Sequence, residues 1–331
     1  MDIFQKLKEK AKSNPKKIIL PESLDERILY AVDIVLKEKI ADITLLGEEE
    51  VILRKSKELG LANLKKAEII NYTEEKHFEK SALYYYNLRQ YKGITLEEAR
   101  QKVKQPVYFA ALMVRENLAD GFVAGASFTS RHVAKAAIEG VGIDKNIQTV
   151  SSSFLMVVPD CDYGENGIFM FADCGIIPSP SVKQLANIAI STANLFKQIM
   201  EVEPKVAMLS YSSYGSGTGD SVERMRAAAE LVKNTVPGLM MDGELQADAA
   251  LVPKVASIKV PRSSIAGKAN VLIFPSLAAG NICYKLVQRL ANARAIGPIL
   301  QGLLKPCSDL SRGCNVQDVV DAIILNVVRA Q

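Results

Sequence analysis

Tryptophan is absent from the 331-residue chain, and histidine occurs only twice, as His77 and His132. Chemistry that needs a histidine base therefore has few positions available. The sequence contains no run of 18 uncharged apolar residues, so no membrane-spanning helix is predicted. The first residues form an amphipathic, lysine-rich segment without the apolar run of a signal peptide, and we expect a cytoplasmic protein with no membrane partner.

Cysteine is also sparse, with five residues and no CxxC spacing: 161, 174, 283, 307 and 314. This pattern predicts free thiols in a reducing compartment and argues against a structural zinc site. We expect chemistry without a metal and without a tightly bound cofactor. The net charge of +4 comes from interleaved acidic and basic residues, which does not predict nucleic-acid binding but suits a small anionic ligand.

Short β-branched segments alternate with longer amphipathic segments, which predicts an α/β fold with parallel strands. Between residues 150 and 173 the pattern changes to two neighbouring apolar strands, 150–159 and 168–173, predicted to pair in antiparallel fashion. Residues 254–268 are predicted to be a polar connecting stretch. The length predicts two domains, which we place at 1–147 with a returning 296–331, and at 148–295.

The segment from Asp309 to Asp318 places a hydroxyl, a fixed cation and a carboxylate close together, as Ser311, Arg312 and Asp318. Apolar residues at helical spacing follow, so Asn315 is predicted to cap the last helix, with Asp318 completing a capping box. The start of a helix gathers backbone N–H groups and positive dipole, which suits oxyanions. Ser311 and Asp318 could serve capping alone, but capping does not explain Arg312.

A second candidate is the loop that follows an apolar strand at Gly125 and opens a helix near residue 130. Its polar side chains converge on one helix start: Ser127, Thr129, Ser130 and Arg131. Such a loop either binds an anion or caps the helix in the ordinary way. His132 is more typical of a helix residue than of a catalyst.

The glycine-rich loop Gly215–Gly219 also lies between a predicted strand and helix. It lacks the Lys-Ser/Thr ending of a Walker motif and is one residue short of the dinucleotide-binding spacing. Asp242 lies at about the right distance downstream to hold a ribose, so an NAD(P)-dependent hydroxy-acid dehydrogenase remains an alternative.

Two further positions are open to both structural and ligand-binding roles. Arg89 lies where a long predicted helix ends, where it either complements the helix dipole or reaches a ligand phosphate. Cys161 lies between two aspartates, which disfavour a nucleophilic thiolate, so we expect it to line a pocket or to be structural.

Six segments, in order along the chain, resemble the phosphate acetyl/butyryltransferase family: Ala126–Arg131, Val158–Tyr163, Met208–Ser212, Ala269–Pro275, Gly280–Ile282 and Leu310–Cys314. The resemblance implies reversible transfer of an acetyl group between coenzyme A and inorganic phosphate, with butyryl or another short acyl group as the alternative. It also implies two α/β domains of the isocitrate/isopropylmalate-dehydrogenase-like type, an active-site cleft between the domains, and a homodimer.

The resemblance further implies roles for individual residues. Ser311, Arg312 and Asp318 correspond to the catalytic group, and Arg89 and Arg131 correspond to arginines associated with coenzyme A. We expect the remaining substrate-binding contacts from Ser127, Thr129, Ser130 and Cys161.

Overall fold

The computed structural model describes residues 3–331, which divide into two compact units. The first unit comprises the chain up to Ile143 together with Leu303–Gln331, and the second comprises Asp144–Gly302. The N-terminal part of the first unit contains these helices and strands: α1 (Ile3–Ser13), β1 (Lys17–Leu20), α2 (Glu26–Glu38), β2 (Asp42–Leu46), α3 (Glu49–Glu58), β3 (Glu68–Ile70), α4 (Glu75–Arg89), α5 (Leu96–Val103), α6 (Pro106–Arg115), β4 (Gly121–Ala124) and α7 (Ser130–Ala136).

The second unit follows a π-helical turn at Ala137–Val141. Its elements are β5 (Ser151–Val157), β6 (Ile168–Ala172), α8 (Val182–Met200), β7 (Val206–Leu209), α9 (Asp220–Thr235), β8 (Met241–Leu245), α10 (Ala247–Leu251), α11 (Pro253–Lys259), β9 (Val271–Ile273), α12 (Leu277–Leu290) and β10 (Arg294–Gln301). The chain then returns to the first unit with β11 (Cys307–Asp309) and α13 (Val316–Ala330).

All strands of the first unit are parallel, in the order β3-β2-β1-β4-β11. Their carboxyl ends therefore meet at one edge of the sheet. The chain leaves β1 toward β2 on one side and later adds β4 on the other, which makes the β1/β4 boundary a topological switch point. Ligands of open α/β sheets bind outside the carboxyl ends of the strands at such a point.

The second unit contains the strand order β10-β5-β6-β9-β7-β8. β5 pairs antiparallel with both β6 and β10, and the remaining pairs are parallel. The predicted antiparallel pair is therefore confirmed. The prediction of a connecting stretch at 254–268 is wrong at its start, because Pro253 opens α11 at its first turn.

The core of the first unit explains how its functional loops are held in place. Eight consecutive residues of α6, from Val107 to Val114, are buried, so this helix is apolar on all sides. α13 buries ten consecutive residues, from Val319 to Val328. Its start therefore has a fixed position, because the helix behind it is embedded in the unit.

Candidate active site

Three neighbouring strands of the first unit, β1, β4 and β11, deliver their following loops to the same edge of the sheet. The loop after β1 carries Glu22 and Asp25, the loop after β4 begins at Gly125, and the loop after β11 carries Ser311 and Arg312. The sequence-predicted residues of the last two loops are thus brought to one edge by the parallel topology.

Glu22 organises the loop after β4. Its carboxylate accepts hydrogen bonds from the backbone N–H groups of Gly125, Ala126, Ser127 and Phe128 at 2.5–3.1 Å, and from the Ser127 hydroxyl at 2.8 Å. Glu22 is only 7% exposed. These N–H groups are therefore satisfied by a carboxylate of the protein itself, which fixes the loop before any ligand binds.

The next residues have two different roles: Thr129 caps a helix, whereas Arg131 is exposed to solvent. Thr129 caps α7, its hydroxyl accepting from the His132 N–H at 3.3 Å. Arg131 is exposed, and within residues 3–331 its guanidinium has no hydrogen bond or ion pair. The guanidinium is therefore available to an anion.

Ser311 and Arg312 form the exposed part of the loop after β11. The Ser311 hydroxyl accepts from the Gly313 N–H at 3.2 Å. The Arg312 guanidinium has no partner within the described part of the chain, although its backbone carbonyl is bound by Arg27. The edge thus presents a hydroxyl and an unpaired cation side by side in sequence.

The predicted capping box at the start of α13 is confirmed. The Asp318 N–H donates to the Asn315 side chain at 3.0 Å, and the Asn315 N–H donates to the Asp318 carboxylate at 2.9 Å. This box tethers the carboxylate of Asp318 three residues into the helix. One carboxylate oxygen has a backbone partner, and the half-buried side chain retains lone pairs for a further hydrogen bond.

Arg27 connects the two loops and was missed from the sequence. One of its terminal nitrogens donates to the carbonyls of Arg312, at 2.8 Å, and Cys314, at 3.1 Å; the other donates to the Ala126 carbonyl at 2.8 Å. The Asp25 carboxylate accepts two hydrogen bonds from the guanidinium, one of them also the ion pair at 2.7 Å, and a third from the Arg27 backbone N–H. Only its position in the first turn of α2 could have drawn attention to it.

Asp309, at the end of β11, is the least satisfied acid at this edge. It is 1% exposed, and neither of its carboxylate oxygens has a hydrogen-bond partner of good geometry among the described residues. Burial raises the pKa of Asp309 to about 7, the nearby Ser130 hydroxyl opposes part of the rise, and the charge of Glu22 adds to it. A Cβ at Gly125 would lie 2.4 Å from Asp309 Oδ1, so the close approach requires glycine there.

Arg89 ends α4, away from these three loops in sequence. Its guanidinium lies 3.4 Å from a carboxylate oxygen of Glu139, which belongs to the π-helical turn. Burial is partial, with 21% of the Arg89 side chain exposed.

A cavity of about 500 Å³ opens at the carboxyl ends of β1, β2 and β3. Its walls include the apolar side chains of Leu24, Val51 and Ile52, the rings of Tyr72 and Phe128, and Ser127. None of the described residues that line it is a lysine, arginine or histidine. The volume lies in the range of small-molecule sites.

In the second unit, the glycine-rich loop after β7 forms its hydrogen bonds with groups of the protein itself. Glu244 accepts from the Gly215 N–H at 2.8 Å, from the Ser212 hydroxyl at 2.9 Å and from Arg226 at 3.0 Å. Burial opposes ionisation, but these hydrogen bonds lower the pKa of Glu244 to about 2. The N–H of Gly217 is likewise bound by Ser212, at 2.9 Å. The glycine-rich loop is thus directed at protein groups.

Asp242, the candidate ribose ligand, is also occupied. Its carboxylate accepts from the Tyr214 hydroxyl, from Lys233 at 2.9 Å and from the Gly243 N–H at 2.9 Å. This arrangement gives no support to dinucleotide binding at Gly215–Gly219. Cys161 lies in the second unit as well, partly buried against its apolar core.

Comparison with known proteins decides the family. The model of the Phosphate acetyl/butaryl transferase family matches residues 2–327. The chain belongs to this family. It is 50% identical over its full length to a phosphate acetyltransferase of Thermoanaerobacterium thermosaccharolyticum, covering all of both chains. It is 44% identical to a phosphate acetyltransferase of Clostridium acetobutylicum, covering 100% of this chain and 99% of the relative.

Among solved structures, the chain is similar to a phosphotransacetylase from Streptococcus pyogenes. The TM-score is 0.93 at 38% identity, with 99% of this chain and 98% of that chain covered. The predicted α/β fold class is therefore confirmed, and the fold is similar to that of phosphotransacetylase structures. Within residues 3–331 no group of metal-ligating side chains and no helix able to cross a membrane is found in this family member.

Sequence reasoning missed the residues that act on the loops from a distance, namely Glu22, Arg27, Asp309 and Glu139. Besides the position of Arg27 in the first turn of α2, one local signal was available: Glu22 is an acid placed directly after an apolar strand and a proline. The partners of these four residues are mostly far away in sequence, and spacing alone does not reveal them.

Proposed function

We propose that this protein is a phosphate acetyltransferase, which converts acetyl-CoA and inorganic phosphate to acetyl phosphate and CoA, and the reverse. The observation that carries the proposal is the exposed guanidinium of Arg312, which has no partner in residues 3–331 and lies beside Ser311 at the edge of the switch point. Support comes from the relatives named phosphate acetyltransferase, two of which match over essentially their whole length.

The proposed reaction is direct attack in a ternary complex. A phosphate oxygen attacks the thioester carbonyl carbon, a C–O bond forms, the C–S bond breaks, and the thiolate of CoA leaves and takes up the proton that the phosphate gives up. We assign Arg312 to the phosphate, Ser311 to a hydrogen bond to the developing oxyanion or sulfur, and Asp318 to the proton. In the reverse direction Asp318 takes the proton of the CoA thiol.

Coenzyme A combines several phosphate charges with an uncharged nucleoside and a pantetheine arm. We propose that the phosphates are bound by Arg131 and Arg89, with Ser127, Thr129, Ser130 and Cys161 completing the substrate contacts. The cavity at the ends of β1, β2 and β3 has apolar and aromatic walls, three carboxylates (Glu22, Asp25 and Glu48) and no cation among the described residues, which suits an uncharged part of CoA better than its phosphates.

We propose the isocitrate/isopropylmalate-dehydrogenase-like fold type, with domains at 1–147 plus 296–331 and at 148–295, a reaction cleft between them, and no tightly bound cofactor. We also propose a cytoplasmic location, supported by five free cysteines within residues 3–331.

A homodimer is proposed on the apolar face of α12. Ile282, Leu286 and Leu290 lie four residues apart on this helix and are 58%, 53% and 81% exposed. A stripe of large apolar side chains in water is typical of a protein–protein interface. Sedimentation equilibrium of Leu286→Glu tests this: a dimeric wild type and a monomeric variant are expected, and a monomeric wild type contradicts it.

Arsenate-dependent loss of acetyl-CoA tests the activity, because an acyl arsenate hydrolyses and draws the reaction forward. Wild-type protein is expected to consume acetyl-CoA without any change in NAD(P)H absorbance in the presence of hydroxy acids. Arg312→Ala is expected to abolish the loss. Parallel assays with propionyl-CoA and butyryl-CoA measure acyl-chain preference, for which one methylene contributes only about 1–3 kcal/mol. Reduction of NAD(P) without thioester loss would refute the proposal.

A further inference from the structure

Glu139 lies at the centre of a buried polar cluster in the first unit. One carboxylate oxygen accepts from the hydroxyls of Tyr85, at 2.9 Å, and Tyr108, at 3.0 Å. The other lies 3.4 Å from the terminal nitrogen of Arg89. Tyr85 is 2% exposed and Tyr108 is fully buried, so the two hydroxyls have no alternative partner in water. The carboxylate is therefore held by its neighbours on one side and faces Arg89 on the other.

The backbone that carries Glu139 is packed closely enough to fix its position. Glu139 belongs to the π-helical turn Ala137–Val141, and the next residue, Gly140, lies against Ala111 of α6. A Cβ at Gly140 would be 2.6 Å from that of Ala111, so only glycine permits the approach. Tyr108 is one turn earlier on the same helix. The close packing of Gly140 on Ala111 thus fixes the position of the turn relative to Tyr108. The Glu139 carboxylate cannot move far unless this packing is disrupted.

A chain of aromatic rings connects this cluster to the candidate active site. The ring of Tyr108 lies 5.8 Å from that of His132, and His132 lies 5.2 Å from Phe128. Phe128 lines the cavity at the switch edge, and so does Pro106, the first residue of α6. The Glu139 cluster is therefore linked through packed rings to one wall of the cavity, while Arg89 itself is not among the lining residues.

We propose that Glu139 is a positioning residue that holds the Arg89 guanidinium toward the phosphates of CoA. The inference rests on the proposed function. Arginine has five donors in a rigid fork: Glu139 accepts from one terminal nitrogen and the Nε is buried, which leaves the other terminal N–H groups for a phosphate. Without the carboxylate, a long side chain that is one-fifth exposed samples other rotamers, and orienting it again on binding costs entropy.

The test compares Glu139→Gln and Arg89→Ala in the arsenolysis assay with two thioesters, acetyl-CoA and S-acetyl-pantetheine, which lacks phosphates. Glu139→Gln is expected to raise the KM for acetyl-CoA about fivefold to tenfold, the net size of one ordinary hydrogen bond, and to leave kcat within about twofold. With S-acetyl-pantetheine the same variant is expected to match wild type. On the Arg89→Ala background Glu139→Gln is expected to have no further effect.

A matched control removes a neighbouring ion pair that has no proposed role. Glu79 on α4 and Arg100 on α5 form hydrogen bonds at 3.0–3.2 Å, and both are more exposed than the Glu139 pair. Glu79→Gln is expected to leave both KM values unchanged. If Glu139→Gln does not fold, Tyr85→Phe removes a single hydroxyl from the carboxylate and is expected to raise the KM for acetyl-CoA in the same direction.

Three results would overturn the inference while leaving the proposed function intact. These are an unchanged or lowered KM for acetyl-CoA in folded Glu139→Gln, an equal rise with S-acetyl-pantetheine, or a full additional effect on the Arg89→Ala background. Failure of wild-type protein to consume acetyl-CoA would instead overturn the proposed function itself.

Discussion

Each unit contains a buried glutamate that accepts hydrogen bonds from a loop, but the cations near the two loops differ in whether they are paired. In the first unit Glu22 accepts the N–H groups of the loop after β4, and in the second Glu244 accepts groups of the loop after β7. Near Glu244 the charges are paired, since Arg226 contacts Glu244 and Lys233 contacts Asp242. At the edge of the first unit, Arg131 and Arg312 have no partner among the described residues.

This difference indicates where a ligand is required. A polar network whose charges are all paired stabilises a loop and leaves nothing for a substrate. The guanidinium groups of Arg131 and Arg312 lie beside a preformed loop at the carboxyl ends of the strands. Among the described residues they have no ionic partner, so a bound anion would supply one. Substitution of Arg312 or Asp318 at this edge should therefore lower activity, and substitution of Glu244 in the paired network of the second unit should lower stability.

The largest expected effect comes from Asp318→Asn in the first unit. Removing the carboxylate while keeping its shape is expected to lower kcat by about a hundredfold to ten-thousandfold, the usual contribution of a general acid–base group, with a modest change in KM. Steady-state arsenolysis measures this.

The second unit supplies the control for that variant. Its α8 begins with a capping box in which Gln184, an amide, occupies the place of Asp318 and accepts from the Ser181 N–H at 2.9 Å. Asp318→Asn thus gives α13 a capping box of the same kind, and the melting temperature should stay close to wild type. A variant with near-normal kcat would remove Asp318 from its proposed role.

Asp309→Asn tests the unsatisfied acid of the first unit. Because burial raises the pKa of Asp309 to about 7 from 3.8, the native state binds more protons than the unfolded state between these values. Its favourable contribution is complete below pH 3.8 and is lost as pH rises through 7, by up to about 4 kcal/mol. The variant should lack this decline. Urea unfolding from pH 4 to 8 measures the difference, and identical pH profiles would contradict the assignment.

Glu244→Gln is the counterpart in the second unit, with the opposite sign. The lowered pKa of Glu244, about 2, means that its contribution is present above pH 4.5 and is lost as pH falls through 2. At pH 7 the variant should be about 2–3 kcal/mol less stable, since Arg226 remains and is partly exposed. Its kcat should stay near wild type. A large loss of kcat at unchanged stability would break the distinction between the units.

Local signals in the sequence predicted the parts of the fold that depend on neighbours. The antiparallel pair β5/β6 followed from two apolar runs joined by a short turn, and the capping box at Asn315 followed from a spacing of three residues. The α/β class followed from the alternation of segments.

Parts that depend on distant partners were not predictable in this way. β11 has only three residues, Cys307–Asp309, and forms because β4 lies beside it, not because of its composition. Glu22 meets its loop across more than 100 residues, and Arg27 meets Arg312 across 285. The residue types at the candidate site were recognisable, but the acids and the arginine that hold them were not.

The smallest expected effect separates two capping residues. Asn315→Ala in the first unit and Ser181→Ala in the second each remove the side chain that accepts an N–H of the third helical residue, and each should cost about 1 kcal/mol of stability. Only Asn315→Ala should also lower kcat, severalfold, because a loosened first turn of α13 lets the Asp318 carboxylate leave its tethered position. Equal melting shifts with equal loss of kcat in both variants would mean that general instability, and not the position of Asp318, limits the rate.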